Sequence, residues 1–192
     1  MAHKLNQRKS NNQVRIIGGN WRRRILSFPD TPELRPTPDR VRETLFNWLQ
    51  YDVMGLNCLD AFAGSGALGF EALSRGAGSV TAVEQNLSLI KQLQLNAATL
   101  DASNMHVIHG AFERVVNDLS GKAFDLIFLD PPFGKNEVLS SLDLLEQHHC
   151  LAIYALIYIE TELASLQWPE ALHCLKKSKA GAVHFFLLQY NT

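Results

Sequence analysis

From Leu56 onwards, short apolar runs alternate with segments in which apolar residues recur every three or four positions, the pattern of strands and helices in a parallel sheet covered on both faces. The runs predict strands over Asn57–Ala61, Ser79–Glu84, Met105–His109, Phe124–Asp130, Ala155–Glu160, Leu172–Lys177 and Val183–Gln189. The helical spacing predicts helices over Ala67–Arg75, Leu87–Leu100, Phe112–Leu119 and Asn136–Gln147. After Glu160 the helices run out, and the last two strands, divided by Ser178 to Gly181, read as a closing antiparallel hairpin. The expected fold is therefore α/β and Rossmann-like, a seven-stranded, mostly parallel sheet.

Ahead of this body the pattern changes. Val14 to Ile17 and Ile25 to Phe28 are strand-like runs around Gly18, Gly19 and Asn20, residues suited to a hairpin turn. Pro29, Pro32, Pro36 and Pro38 keep the next stretch extended, and Thr37 before Pro38 reads as an N-cap with proline at the first helical position. A helix follows to Leu49, with Val41, Leu45, Trp48 and Leu49 on its apolar face. The expected organisation is an N-terminal extension over 1–52 and a catalytic domain over 53–192.

With 192 residues, 46% of them hydrophobic, the chain can bury one core. Its longest apolar stretches, such as Leu151 to Ile159, are far shorter than the roughly 20 residues that cross a bilayer, and the start carries no apolar signal-peptide core. A cytoplasmic protein without a membrane partner is expected. Cys58, Cys150 and Cys174 form no even framework and no CxxC pair, and His148 to Cys150 lack a fourth ligand nearby, so buried thiols and no metal site are expected. The net charge of -1 hides a split: residues 1–42 hold ten Lys and Arg against three Asp and Glu, and the remainder eight against sixteen. This is the pattern of a polyanion-binding arm on an acidic body.

Two motifs carry the chemistry. In GSGALG, Gly64, Gly66 and Gly69 fit GxGxxG, and Glu84 ends the next strand twenty residues after Gly64. Glycines admit a ligand close to the backbone, and a carboxylate at that strand end can accept both ribose hydroxyls. The second motif, Asp130, Pro131, Pro132 and Phe133, closes a buried strand at its carboxyl end, where ligands of open α/β sheets bind. The prolines stiffen the backbone and leave carbonyls free as acceptors, while Phe133 can stack on a flat ring. An exocyclic amine is a poor nucleophile, because its lone pair is delocalised. If Asp130 and the Pro131 carbonyl each accept one N–H, the nitrogen is drawn towards sp³ and its lone pair is aimed at a methyl donor.

These residues resemble the class I S-adenosylmethionine-dependent methyltransferases, and among them the RsmD type, which modifies the exocyclic N2 of a guanine in small-subunit (16S) ribosomal RNA. The similarity runs from about Val14 to Leu188 through RIIGGNWRRRIL, LRPTPDRVRETLFNWL, CLDAFAGSGALGFEALSRGA, VEQN, FDLIFLDPPF and LIYIE, of which RPTPDRVRETLFNWL is the most family-specific. The resemblance implies S-adenosylmethionine as cofactor, with Asp60, Phe62, Ala63, Gly64, Ser65 and Gly66 around its methionine part. It also implies Glu84 on the ribose, Gln85 against the adenine, and guanine held by Asp130 to Phe133. Many relatives present a polar side chain to the adenine amine after the third strand. This chain has Gly110 and Ala111 there, so adenine recognition would rest on backbone groups from Gly110 to Phe112. The implied partner is ribosomal RNA, naked or in an assembling small subunit, with Arg15, Arg22, Arg23, Arg24, Arg35, Arg40 and Arg42 as candidate phosphate ligands. A DNA adenine-N6 methyltransferase shares the DPPF geometry, an NAD-dependent oxidoreductase the glycine turn, and a non-enzymatic RNA-binding protein the fold.

Overall fold

Every strand and helix expected from periodicity is present in the computed structural model, which describes residues 11–31, 34, 36–132 and 137–191. The chain opens with an antiparallel hairpin of β1 (Asn11–Arg15) and β2 (Ile25–Pro29), followed by α1 (Asp39–Trp48). Strands β3 (Asn57–Asp60), β4 (Ser79–Glu84) and β5 (Met105–His109) are joined by α2 (Ala67–Ser74) and α3 (Leu87–Thr99). The chain then returns past β3 through α4 (Phe112–Val115) and a 3-10 turn (Val116–Leu119) to β6 (Phe124–Leu129), and through α5 (Glu137–Gln147) to β7 (Leu151–Thr161). These five strands are parallel; β8 (Leu172–Ala180) and β9 (Val183–Tyr190) close the sheet antiparallel, in the order β5-β4-β3-β6-β7-β9-β8. The reversal after β5 sets β3 beside β6 and opens a crevice at their carboxyl ends.

Strand alternation divides the core in two. On β6, Leu126 and Phe128 join the cluster that contains the hairpin, α1, α2 and α3, whereas Ile127 and Leu129 join the one under α4 and α5. The hairpin and α1 share the former cluster with the sheet: Ile16, Leu26, Leu45 and Phe46 are buried in it, and the Phe46 ring lies 6.2 Å from that of Phe128. Among the described residues no helix is long and apolar enough to cross a membrane.

The hairpin is held by α2. The Glu71 carboxylate, fully buried, accepts the amides of Ile17 (2.7 Å) and Gly18 (2.8 Å) and the Arg75 Nε–H (2.7 Å). Because the Ile17 amide is bound there, β1 ends at Arg15, two residues sooner than the apolar run suggests. Gly19, at φ +73°, lets the turn lie on the end of α2, where a Cβ would come within 1.8 Å of the Ser74 carbonyl oxygen.

Three further details differ from the sequence expectation. β7 starts four residues earlier, at Leu151, and bulges around Tyr154, whose φ is +63°, so a pure alternation count loses it there. β8 continues to Ala180, leaving Gly181 and Ala182 as the turn, with Gly181 at φ +61°. Helix α1 begins at Asp39 with Pro38 as an extended N-cap, and the Thr37 side chain makes no cap; its hydroxyl points into the crevice instead.

Arg42 is a correction. Its side chain is fully buried and therefore closed to phosphate; it donates to the Thr37 carbonyl (3.2 Å), the Arg15 carbonyl (2.9 Å) and Asp39 Oδ1 (2.6 Å), and lies 3.6 Å from Glu71. Removing one partner of a buried ion pair leaves the other charge unpaired in a low-dielectric setting. Glu71→Ala is therefore expected to lower the unfolding free energy by about 3 to 5 kcal/mol, read by urea denaturation. A loss below about 1 kcal/mol, the size of a surface ion pair, would contradict this.

Candidate active site

The carboxyl ends of β3, β4, β6 and β7 each carry an acid: Asp60, Glu84, Asp130 and Glu160. Asp60 is buried and its Oδ2 accepts the Gly69 amide of α2 at 3.2 Å, tying the strand end to the helix after the glycine turn. Gly64 (φ +51°) and Gly66 (φ +76°) are left-handed; a Cβ on Gly64 would meet Leu34 at 2.6 Å, and one on Gly66 would meet Leu93 and Phe70. Ser65 and Ala63 are buried and Phe62 half-buried in this turn. Glu84 accepts the Gly64 amide with Oε2 and the Asn86 amide with Oε1, both at 2.8 Å, and Gln85 beside it is exposed. The Gly110 amide is taken by the Glu84 carbonyl (2.9 Å), which leaves the amides of Ala111 and Phe112 as the ones open to a ligand. Next to them the rings of Phe62 and Phe112 lie 5.6 Å apart, beside a cavity of about 190 Å³ that reaches α5.

Across the crevice, Leu129 pairs with Ile159, so Asp130 and Glu160 are neighbours on adjacent strand ends. Thr37 Oγ1 lies 2.8 Å from Glu160 Oε1 and 3.4 Å from Asp130 Oδ2, and the Tyr158 hydroxyl donates to the same Glu160 oxygen at 2.9 Å. Glu160, Thr37 and Tyr158 are all buried, while Asp130 is half-buried. Pro131 is buried and Pro132 exposed, and no described residue donates to the Pro131 carbonyl. Phe133 and Arg35 lie outside the described residues.

None of Asp60, Asp130 and Glu160 has a Lys or Arg partner among the described residues. Burial therefore dominates their titration. Asp60 is pushed up to about 7 by desolvation, against the Gly69 hydrogen bond and with help from the Glu84 charge. Asp130 is raised well above the usual carboxylate range, first by burial and then by the charges of Glu160 and Asp60, with the Thr37 hydroxyl pulling the other way. Burial also raises Glu160, against hydrogen bonds from Thr37 and Tyr158. Cys58, beneath Asp60, is pushed to about 12 by burial, which leaves an inert thiol. No group of three His, Cys, Asp or Glu among the described residues is arranged to hold a metal ion.

The geometry brings Asp60, the glycine turn, Glu84 and Asp130 together and adds Thr37, Tyr158 and Glu160, which motif reading did not single out. A signal for Glu160 is present: four parallel strands end on an acid, and only three of those acids belong to the two motifs. The arginines are spread out. Arg15, Arg22, Arg23, Arg24 and Arg40 are exposed. Arg40 stands in the first turn of α1, three residues from Thr37. Arg22 to Arg24 occupy the hairpin turn beside the carboxyl-terminal ends of α2 and α3, at the opposite end of the sheet from Asp130, and Arg24 donates to the Thr99 carbonyl.

Residues 14–189 match the model of a family whose description is "Conserved hypothetical protein 95". Ribosomal RNA small subunit methyltransferase D of Escherichia coli (strain K12) is 46% identical over 179 residues, covering 92% of this chain and 90% of that protein. The protein of the same name from Haemophilus influenzae is 41% identical over 190 residues, 97% and 98% of the two chains. The solved structure of yhhF from Escherichia coli superposes with a TM-score of 0.86 at 42% identity, covering 94% of this chain and 99% of that one.

The raised carboxyl of Asp60 has a consequence for stability. Its folded value, about 7, exceeds the unfolded 3.8, so between these the folded state holds the extra proton and stability falls as pH rises. The slope is up to about 1.4 kcal/mol per pH unit. Asp60→Asn keeps an acceptor for Gly69 and removes the titration, so its stability loss between about pH 5 and 8 should be smaller than that of wild type by about 2 to 3 kcal/mol. Equal losses in urea titrations would mean that Asp60 ionises as freely in the fold as in the unfolded chain.

Proposed function

The chain belongs to the family of ribosomal RNA small subunit methyltransferase D, and from that premise we propose that it methylates the exocyclic N2 of a guanine in small-subunit ribosomal RNA, with S-adenosylmethionine as methyl donor. The observation that carries this reading is the pairing of a glycine turn with the Asp130–Pro131 acceptors at the carboxyl ends of the neighbouring strands β3 and β6. A dinucleotide oxidoreductase would have no use for the second motif.

When bound, S-adenosylmethionine supplies an activated methyl group on a sulfonium cation. The residues present fit such a ligand. Gly64 and Gly66 keep the turn free of side chains, and the acids at the strand ends have no cation partner among the described residues, so a sulfonium would bring the charge that favours their ionisation. Asp60 and Phe62 to Gly66 would hold the methionine part and Glu84 the ribose hydroxyls, each of its oxygens keeping a lone pair beyond the amide it accepts. Gln85 and the amides of Ala111 and Phe112 would border the adenine.

For the guanine, Asp130 Oδ and the Pro131 carbonyl accept the two N2 hydrogens and turn the lone pair towards the methyl group. Methylation leaves the nitrogen cationic, and a carboxylate within hydrogen-bond reach stabilises that charge and is placed to receive the departing proton. Reaching N2 requires the base to leave its stack, with Phe133 as the surface it stacks on. Arg15, Arg22, Arg23, Arg24 and Arg40 are assigned to phosphates, in naked RNA or in an assembling subunit, and the reaction to the cytoplasm, where ribosomes are built.

Mass spectrometry of ribosomal RNA from a strain lacking the protein tests the reading as a whole: one N2-methylguanine of the small subunit should be missing. Asp130→Ala should keep the fold and lose methyl transfer by at least about 10²-fold; near-normal single-turnover rates would remove Asp130 from the role. For the arm, replacing Arg15, Arg22, Arg23 and Arg40 together by Ala should lower the magnitude of the log K against log salt slope by about 3, at roughly 0.7 to 0.9 per phosphate. Arg40→Ala alone should account for about one of these units. An unchanged slope in filter binding would make these side chains a solvated face.

A further inference from the structure

The proposed chemistry uses Asp130 but leaves its buried neighbour Glu160 unexplained. Burying an acid without a cation is costly, and a strand end beside an active site is an expensive place to do so without effect. Glu160 is 3% exposed, and its Oε1 receives both the Thr37 hydroxyl at 2.8 Å and the Tyr158 hydroxyl at 2.9 Å. Thr37 is at the same time 3.4 Å from Asp130 Oδ2. A hydroxyl has one proton to give and can accept another bond. As long as Thr37 donates to Glu160, the facing Asp130 oxygen has no donor from it. When Glu160 is protonated and gives its proton to the Thr37 oxygen, the Thr37 hydroxyl is free to donate to the Asp130 carboxylate. The hydroxyl thus makes the state of one acid depend on that of the other, as expected for two like charges in a poorly solvated site.

The groups around this pair are few among the described residues. β3 contributes Asp60, with Glu84 of β4 behind it; β7 contributes Tyr158 and Glu160; the arm contributes Thr37. Arg42 donates to the Thr37 carbonyl but is held by Asp39 and Glu71. Among the described residues Glu160 has no ion-pair partner, and its charge is met by two hydrogen bonds.

We propose that Glu160 is a positioning residue of the transfer: through the Thr37 hydroxyl it orients the Asp130 carboxyl, and through its charge it governs the pH range in which methyl transfer runs. The proposal rests on the assignment of Asp130 as the acceptor of the amine. The sign is fixed by the electrostatics. The rate requires Asp130 as carboxylate, and a negative Glu160 delays its ionisation, so the rate rises at a higher pH than it would without that charge.

The test is the single-turnover methylation rate on small-subunit ribosomal RNA as a function of pH. Glu160→Gln retains an acceptor for Thr37 and Tyr158 and removes the charge. Its acidic limb is expected to move down by about one pH unit relative to wild type, whereas a purely structural Glu160 would lower the rate equally at every pH. If Glu160→Gln does not fold, Thr37→Val and Thr37→Ser carry the test. Val should reduce the maximal rate by about tenfold or more with unchanged cofactor affinity in calorimetry, and Ser should restore it. Coincident limbs in wild type and Glu160→Gln, or a Thr37→Val enzyme with wild-type rate and limb, would overturn the positioning role while leaving the guanine reading intact. A wild-type protein that transfers no methyl group to this RNA would overturn both.

Discussion

The structure depends first on one buried carboxylate, that of Glu71. It sits in α2, the helix that follows the glycine turn, and receives two main-chain amides from the N-terminal hairpin, the Arg75 side chain, and the charge of Arg42 from α1. A carboxylate in that position would be strongly unfavourable alone; with these partners it becomes a joint between three elements that are distant in sequence. The arm is consequently part of the core. Between the anchored hairpin and α1, Leu34 is set over Gly64 and Thr37 against Glu160. A segment whose composition suggests a nucleic-acid arm therefore also builds the floor of the candidate active site.

The second constraint is electrostatic. The parallel order β4-β3-β6-β7 lines up four strand ends, each with an acid, and three of these acids, Asp60 and Glu160 buried and Asp130 half-buried, stand without a cation partner among the described residues. Such an arrangement is held at a cost in stability near neutral pH, because the folded state retains protons that the unfolded chain releases. Under the proposed function a cationic donor would favour ionisation of these same acids, since it brings the positive charge they lack. Stability is given up where function requires an unusual environment.

The body being acidic and the arm basic, the two charges act at different places. The exposed arginines run from α1, close to Thr37, to the hairpin turn at the opposite end of the sheet. Under the proposed function, arginines spread over that length would suit an extended RNA segment rather than a single nucleotide.

What the sequence determined by itself is whatever depends on neighbours along the chain. Hydrophobic periodicity marked all seven strands of the sheet, the helices and the closing hairpin, since a strand or helix is dictated by the spacing of its own apolar residues. The glycine turn and DPPF were legible because their chemistry is local, and the basic arm because charge can be counted. The rest was decided by tertiary structure. Arg42 looks like any other arginine in a basic stretch until Glu71, 29 positions later, draws it into the core. Thr37 reads as a helix cap until Glu160, 123 positions away, receives its hydroxyl. Glu160 itself reads as the end of a buried strand, and only the pairing of β6 with β7 turns it into a neighbour of Asp130. Burial and contact between remote residues are properties of the folded chain, so a side chain whose role rests on them carries no local mark of it.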